Sequence, residues 1–503
     1  MDTATLVTFI VYLVAMLVIG VVSYRLTNNL SDYVLGGRSL GPGVAALSAG
    51  ASDMSSWLLL GLPGLAYATG LDAIWLCVGL IIGAYLNWKF VASRLRSYTE
   101  IANDSITVPD FFENRFKDSS RVLRIVSALV ILVFFTFYVS SGLVGGALLF
   151  QETFGMSYNA ALLIGAIVII SYTFLGGFLA VSWTDFFQGL LMFFALVLIP
   201  IVAIVELGGI GSTVDQVRNM DPSYLNPVDS VTTLGVISLV AWGLGYFGQP
   251  HIITRFMAIR STRDVPRARF YGMSWMIVSI IGAIIVGVTG IPYFAGDPLI
   301  AGDINQSEKV FIFFADLLFN PWVSGILLAA ILSAIMSTID SQLLVSSSAL
   351  AEDFYKAIFR KDATDKELVW VGRFGVVIIS IIAILLAYQG NQTEGASVLN
   401  LVSYAWGGFG AAFGPVILFS LYWRNMNGIG ALAGIITGAV TVVVWKQLTV
   451  AKFIPFNLYE IVPGFIFASL AIILFSLIGN SPPKAILDEF KEAVENDNEK
   501  PQT

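Results

Sequence analysis

The sequence predicts an all-α integral membrane protein of about thirteen transmembrane helices, ten of them forming two inverted repeats of five. Three observations carry that prediction. Of the 503 residues, 57% are hydrophobic and only 12% charged, with a mean hydropathy of +0.82, whereas soluble domains carry about 25% charged residues. Thirteen runs approach the ~20 apolar residues that cross ~30 Å of hydrocarbon. Two of these runs, five apart, are interrupted by polar or Gly/Pro residues, and paired interruptions mark inverted-repeat membrane folds with a site near the midplane.

The first run, 5–24, is long enough to span, and Met1-Asp2-Thr3 supplies no basic segment before it. It therefore reads as a span outside the repeats rather than a cleaved signal. The second, 40–70, contains Gly50-Ala51-Ser52-Asp53-Met54-Ser55-Ser56. A carboxylate at bilayer depth costs at least ~2.5–3.5 kcal/mol, so Asp53 is expected to face a protein interior. Helix interruption is tolerated at that depth only where the freed backbone lines a cavity. Runs 72–93, 122–149, 158–180 and 185–206 complete a first repeat at about 40–206.

The seventh run, 232–250, ends in Trp242-Gly243-Leu244-Gly245-Tyr246-Phe247-Gly248-Gln249-Pro250-His251. Three glycines and a proline cannot hold a regular helix there. With 270–292, 320–350, 369–388 and 397–422 it forms a second repeat at about 232–422, and an odd number of spans per repeat gives the two halves opposite topology. Asp303–Leu318 predicts a helix on the outer surface. Runs 428–448 and 459–479 lie outside the repeats and close one transmembrane domain, 1–479. Residues 480–503 predict a solvated cytoplasmic tail with a short amphipathic helix and a frayed end.

Orientation follows Lys and Arg rather than net charge, so the net charge of −7 says little about partners. With the N-terminus outside and the C-terminus cytoplasmic, all 27 Lys and Arg residues fall inside except Arg218, Lys309, Lys446 and Lys452. The loops counted as inner include Arg25, Arg38 and Arg255 to Arg269. A single cysteine, Cys77, excludes an intramolecular disulfide, and a single histidine, His251, excludes a histidine-cluster metal site. No phosphate-binding G-x-x-x-x-G-K-[ST] loop occurs. Nothing points to a nucleic-acid partner, an obligate protein partner or a paired catalytic constellation, so the chain is expected not to be an enzyme.

Residues 334, 337 and 338 share one helix face by their i, i+3, i+4 spacing. A carbonyl of Ala334 and hydroxyls of Ser337 and Thr338 can meet carbonyls of Ala51 and Met54 as a neutral five-oxygen cage suited to Na⁺, with Asp53 nearby favouring positive charge. The plainer alternative is that these hydroxyls bond back to their own helix. Asp185 opens the sixth run, where a helix N-terminus accommodates an anion for structural reasons alone; a role in ion exit is the alternative. Asp340 reads as a polar interhelical contact or a pathway residue. A solute beside the cation would meet Tyr138, with Ser140 and Ser141, and Trp242, Tyr246 and Pro250. Aromatic faces there suit an ammonium or iminium group.

The stretches DYVLGGRSLGPGVAALSAGASDMSSWLLLGLPG (32–64), YTFLGGFLAVSWTD (172–185), WGLGYFGQPHI (242–252) and SAIMSTIDSQLLVSSSALAEDFY (333–355) resemble the solute:sodium symporter family, and within it the bacterial branch that carries proline. The resemblance covers about 5–480. It implies a LeuT-like 5+5 core (helices 2–6 and 7–11) and Na⁺ ligation by Ala51, Met54, Ala334, Ser337 and Thr338. It implies that Asp53 and Ser55 govern Na⁺ affinity, that Arg38 and Asp185 serve coupling and release, and that Tyr138, Trp242, Tyr246 and Pro250 bind substrate. Departures fall at Ser56, where familiar members have glycine, and at Asp340 and Ser341. The expected partners are Na⁺, L-proline and the lipid bilayer of a bacterial cell membrane. The competing readings are a symporter for a betaine, pantothenate or a monocarboxylate, proton coupling through Asp53 or Asp340, and a proline-binding membrane sensor.

Overall fold

The computed structural model describes residues 3–24, 30–175, 177–229, 231–295, 304–392 and 397–498. Arg25, Asp303, Lys500 and the extreme ends of the chain lie outside the described residues. The first half holds α1 (Thr3–Tyr24), α2 (Pro42–Asp53), α3 (Leu62–Thr69), α4 (Ile74–Leu86), α5 (Ser93–Ile101), α6 (Val108–Phe116), α7 (Val122–Phe154), α8 (Tyr158–Leu175) and α9 (Phe178–Glu206). The second half holds α10 (Thr233–Val240), α11 (Pro250–Ala258), α12 (Val265–Tyr293), α13 (Val310–Leu318), α14 (Pro321–Ser348), α15 (Asp365–Gln392) and α16 (Val398–Tyr422). Helices α17 (Gly428–Val450), α18 (Ile461–Ile478) and α19 (Lys484–Asn498) follow.

Among the described residues, ten helical stretches are long and apolar enough to cross a membrane. Counting the bent pair Thr233–Gly248 and Pro250–Ala258 as one span makes eleven. Side chains such as Val11, Ile167, Phe194 and Leu477 project outward from these helices, as hydrocarbon-facing positions require. Helix α14 is the most deeply enclosed, packing against α1, α2, α7, α9 and α15, and its serines, Thr338 and Asp340 are buried with its aliphatic residues.

Both predicted interruptions are present. Helix α2 stops at Asp53, Met54 (φ −78°, ψ 26°) leaves the helical path, and a widened π turn over Trp57–Gly61 leads into α3. The second break follows from its residues. Ala241–Gly248 tightens to a 3₁₀ helix, Gln249 is extended (φ −80°, ψ 109°), and Pro250 opens α11. Proline has no N–H to continue a helix and drives the residue before it out of the helical region. The two parts meet at 45°.

Glycine is required where backbones touch. A Cβ on Gly83 would lie 2.2 Å from the Gly243 carbonyl oxygen, so α4 packs directly on the 3₁₀ segment. A Cβ on Gly245 would lie 1.9 Å from Trp406 Nε1. Gly245→Ala is therefore expected to cost about 1–3 kcal/mol by overpacking. It should lower the thermal midpoint of the detergent-purified protein, and an unchanged midpoint would contradict this packing.

Several expectations change. Asp185 does not begin a helix: α9 starts at Phe178, which puts Asp185 about two turns inside and fully buried. The seventh run continues past Pro250 to Ala258, so Arg255 belongs to a buried helix rather than an inner loop. The segment before α14 is not a surface helix, because Val310, Phe311, Ile312 and Phe314 of α13 are buried. The tail is docked rather than solvated through its helix. Phe490 of α19 sits edge-on to Tyr98 at 6.3 Å with the Arg115 guanidinium 5.4 Å away, Ala493 is buried, and Lys117 pairs with Glu489.

Candidate functional site

At the first break the end of α2 faces the middle of α14. Ser337 Oγ donates to the carbonyls of Ala51, at 2.9 Å, and of Ala334, at 3.2 Å. Thr338 Oγ1 lies 3.4 Å from the Ala51 oxygen. Four of the five predicted cage oxygens are thus gathered in one buried place. The fifth, the Met54 carbonyl, belongs to the residue at which the helix breaks. One hydroxyl proton serves two carbonyls at Ser337, so the cluster is rich in lone pairs and poor in donors, and it suits a small hard cation.

Asp53 links this cluster to the second break. Its carbonyl accepts from Tyr138 Oη (3.2 Å) on α7 and from Trp57 Nε1 (3.3 Å). Its carboxylate Oδ2 accepts from Tyr246 Oη at 2.6 Å, and Oδ1 is buried without a hydrogen-bond partner among the described residues. One residue therefore holds two of the predicted substrate tyrosines, one through its backbone and one through its side chain. Ser55 has a local task, its hydroxyl accepting from the Trp57 N–H at 3.4 Å.

The aromatic wall is larger than the sequence reading proposed. Trp242 stacks near Trp406, with ring centroids 6.3 Å apart, and its carbonyl accepts from Trp406 Nε1 at 2.7 Å. Trp57 approaches it to 6.3 Å and Tyr459 to 5.6 Å. Tyr246 stands edge-on to Trp406 at 5.0 Å. Pro250 contributes through the backbone: it starts α11 and so places His251 beside Tyr138, 6.1 Å between centroids. Tyr459 comes from the loop before α18 and is fastened by its hydroxyl to the Ser403 carbonyl (2.5 Å) and by its N–H to Ser238 Oγ (3.0 Å). Sequence reasoning missed Trp57, Trp406 and Tyr459. Trp57 had a local signal, lying four residues after Asp53; the other two had none.

Asp185 forms a second buried centre. Ser48 Oγ of α2 donates to its Oδ2 at 2.7 Å, and Arg255 Nη2 of α11 lies 3.2 Å from the same oxygen. Arg255 also donates to Ser48 Oγ, to the His251 carbonyl and to Ser341 Oγ. Both charged side chains are fully buried. Asp340 accepts from the Thr173 hydroxyl, an interhelical contact between α8 and α14. Arg38 stands apart. It bonds Asp104, Thr99 and the carbonyls of Met257 and Ser105, tying the approach to α2 to α5 and to the end of α11. Burial, with the Arg96 cation nearby, holds its guanidinium below the usual value.

Comparisons with known proteins show the family. The sodium/proline symporter of Escherichia coli strain K12 is 54% identical over 493 residues, covering 98% of this chain and 96% of that protein. The high-affinity proline transporter PutP of Bacillus subtilis strain 168 is 53% identical, covering 95% and 98%. The fold is similar to that of a substrate-bound, outward-open Na⁺-coupled sialic acid symporter, with a TM-score of 0.80 at 20% identity over 96% of this chain and 99% of that one. The model of the Sodium:solute symporter family matches residues 33–438. With that match and near-full-length relatives above 50% identity, the chain belongs to the sodium:solute symporter family.

Proposed function

We propose that this protein takes up L-proline by coupling it to inward Na⁺ movement through alternating access, in a bacterial cell membrane. One observation carries the site assignment: Asp53 joins the Ala51–Ser337–Thr338 oxygen cluster to the Tyr138–Tyr246 wall. Na⁺ would be held by the carbonyls of Ala51, Met54 and Ala334 and by the hydroxyls of Ser337 and Thr338, drawing α2 against α14. That order would propagate through Asp53 to the tyrosines, a coupling free energy between adjacent sites. Proline, an apolar ring with a charged secondary amine, suits aromatic faces beside a carboxylate. At −100 mV one charge carries ~2.3 kcal/mol. A tenfold Na⁺ gradient adds ~1.4 kcal/mol. Together they sustain accumulation of several hundred-fold with one Na⁺ per solute.

Thirteen spans belong to this reading. The 45-residue stretch Trp57–Ile101 contains Gly70 at φ 65°, a turn that divides it into two spans. The bent pair at Gln249 counts as one span, and the 18-residue α8 as another. An N-terminus outside and a C-terminus inside is supported by the Lys and Arg distribution. Arg124 also gathers Asp110, Glu113, Glu352 and Asp353 on what would be the inner side. Spans 2–6 and 7–11 then form the inverted repeats, each opening on a broken helix.

Labelled L-proline uptake into proteoliposomes, with an inward Na⁺ gradient and an inside-negative potential, tests the function. Concentrative uptake that vanishes when choline replaces Na⁺ is expected. Equal uptake driven by a proton gradient without Na⁺ would overturn the cation assignment, and Na⁺-driven uptake of a different solute alone would overturn proline. In the same assay Tyr459→Ala is expected to raise the half-saturating proline concentration roughly threefold to tenfold, because an aromatic contact on Trp242 contributes about 0.5–1.5 kcal/mol. An unchanged value would remove Tyr459 from the wall.

A further inference from the structure

Two grooves open toward the hydrocarbon on either side of α4. The first, 480 Å³, lies between α4, the α10–3₁₀ segment and Val462 of α18, and is lined only by aliphatic, glycine and phenylalanine residues. The second, 570 Å³, lies between α4 and α12 and ends at Tyr85 and Arg269. They share Ile82 and Leu86, which form a ridge between them. From Gly79 to Lys89 the chain rises ~15 Å at 1.5 Å per residue, about half of the ~30 Å hydrocarbon and so the depth of one leaflet.

Two cations stand at the polar end of this ridge. The Arg269 guanidinium lies 5.3 Å from the Tyr85 ring centroid. Lys89 Nζ lies 6.0 Å from the same ring and 5.3 Å from that of Phe90. Neither forms an ion pair with a carboxylate among the described residues, whereas neighbouring Arg260 and Arg96 are paired with Asp264 and Glu100. Tyr85, Phe90 and Phe270 are exposed around them, and an aromatic belt of this kind sits at headgroup depth.

We propose that this ridge is a binding site for one acidic phospholipid of the leaflet facing the basic loops, its acyl chains astride Ile82 and Leu86 and its phosphate between Lys89 and Arg269. The assignment of leaflet rests on the orientation proposed above. Two cations without an ion-pair partner among the described residues select a net negative headgroup over a zwitterionic one. The first groove also lies behind Ala241–Phe247, the segment carrying Trp242 and Tyr246. An acyl chain there fills space against a broken helix that cannot brace itself, so the bound lipid stiffens the aromatic wall from outside.

The test uses the full-length protein, delipidated in detergent, with phosphatidylglycerol or phosphatidylcholine added. Phosphatidylglycerol is expected to raise the thermal midpoint at a lipid concentration at least tenfold lower than phosphatidylcholine. Native mass spectrometry should show one retained phosphatidylglycerol per chain. Lys89→Gln/Arg269→Gln should abolish the preference, the charge-keeping Lys89→Arg/Arg269→Lys should retain it, and Arg263→Gln/Arg267→Gln should leave it intact. Each single glutamine change should weaken it, which keeps the test decisive if the double variant does not fold. Equal responses to the two lipids would overturn the proposal, as would a preference that survives in the folded Gln variants. A lipid-independent dimer mass would also overturn it, by assigning the grooves to a second copy of the chain. Because lipid retention is read without transport, its failure is separable from any failure of the symport reading.

Discussion

The Ser337→Ala/Thr338→Ala protein is expected to need at least ~100-fold more Na⁺ for half-maximal proline uptake, while its ranking of proline over other solutes is unchanged. Both hydroxyls lie within 3.4 Å of the Ala51 carbonyl, and with a cation in place each would turn a lone pair toward it. A hydrogen-bond-type contact to a charged group contributes about 1.5–3 kcal/mol, so losing two removes about 3–6 kcal/mol. Each 1.4 kcal/mol is tenfold. Neither hydroxyl touches the aromatic wall, so selectivity should survive. The fold should survive too, since both changes leave small residues inside a buried helix with its backbone bonds intact; the thermal midpoint checks this. Na⁺ activation equal to that of the parent would remove the cage from α2 and α14. A rise in the half-saturating proline concentration at saturating Na⁺ would place these hydroxyls in the solute pocket instead.

What the sequence made legible was local. The two helix breaks announce themselves in consecutive residues, a run of small and polar side chains around Asp53 and three glycines before Pro250. The face formed by Ala334, Ser337 and Thr338 is fixed by helix geometry alone. What stayed hidden depended on contacts between distant segments. Trp406 meets Trp242 across 164 positions, and the one trace it leaves is the absence of a Cβ at Gly245, to which no partner can be assigned from sequence. Tyr459 reaches the wall from outside the repeats. Arg255 was hidden for a different reason. The half-helix after Pro250 is nine residues long, too short to show as a span, and it runs directly into the cations from Arg260 onward. A buried arginine therefore looked like the start of a basic loop. Asp185 was misplaced for another reason: its helix starts at Phe178, just after Gly177, seven residues before the start that the apolar pattern suggested.

The pair those two residues form supports the second large prediction. Arg255 and Asp185 are both fully buried, and removing one partner of such a pair costs about 3–5 kcal/mol because the other charge is left uncompensated. Asp185→Asn is expected to be the harsher single change, because a guanidinium keeps its charge at any accessible pH. The Asp185→Asn/Arg255→Gln protein should be more stable than Asp185→Asn alone, with a coupling of at least about 2 kcal/mol in a double-mutant cycle. Thermal midpoints of the four proteins in one detergent give that number, and strict additivity would mean the pair is not a unit. The functional consequence follows from which helices the pair joins. Ser48 on α2, Asp185 on α9, Arg255 on α11 and Ser341 on α14 share one hydrogen-bonded centre. Any inward path that parts α2 or α11 from α9 and α14 must open this centre, and the cost of separating two buried charges then opposes opening. The double variant lacks that cost. It should therefore leak Na⁺ inward without proline faster than the parent, and Na⁺ flux into proteoliposomes still dependent on proline would show that the centre holds the fold together but does not gate the path.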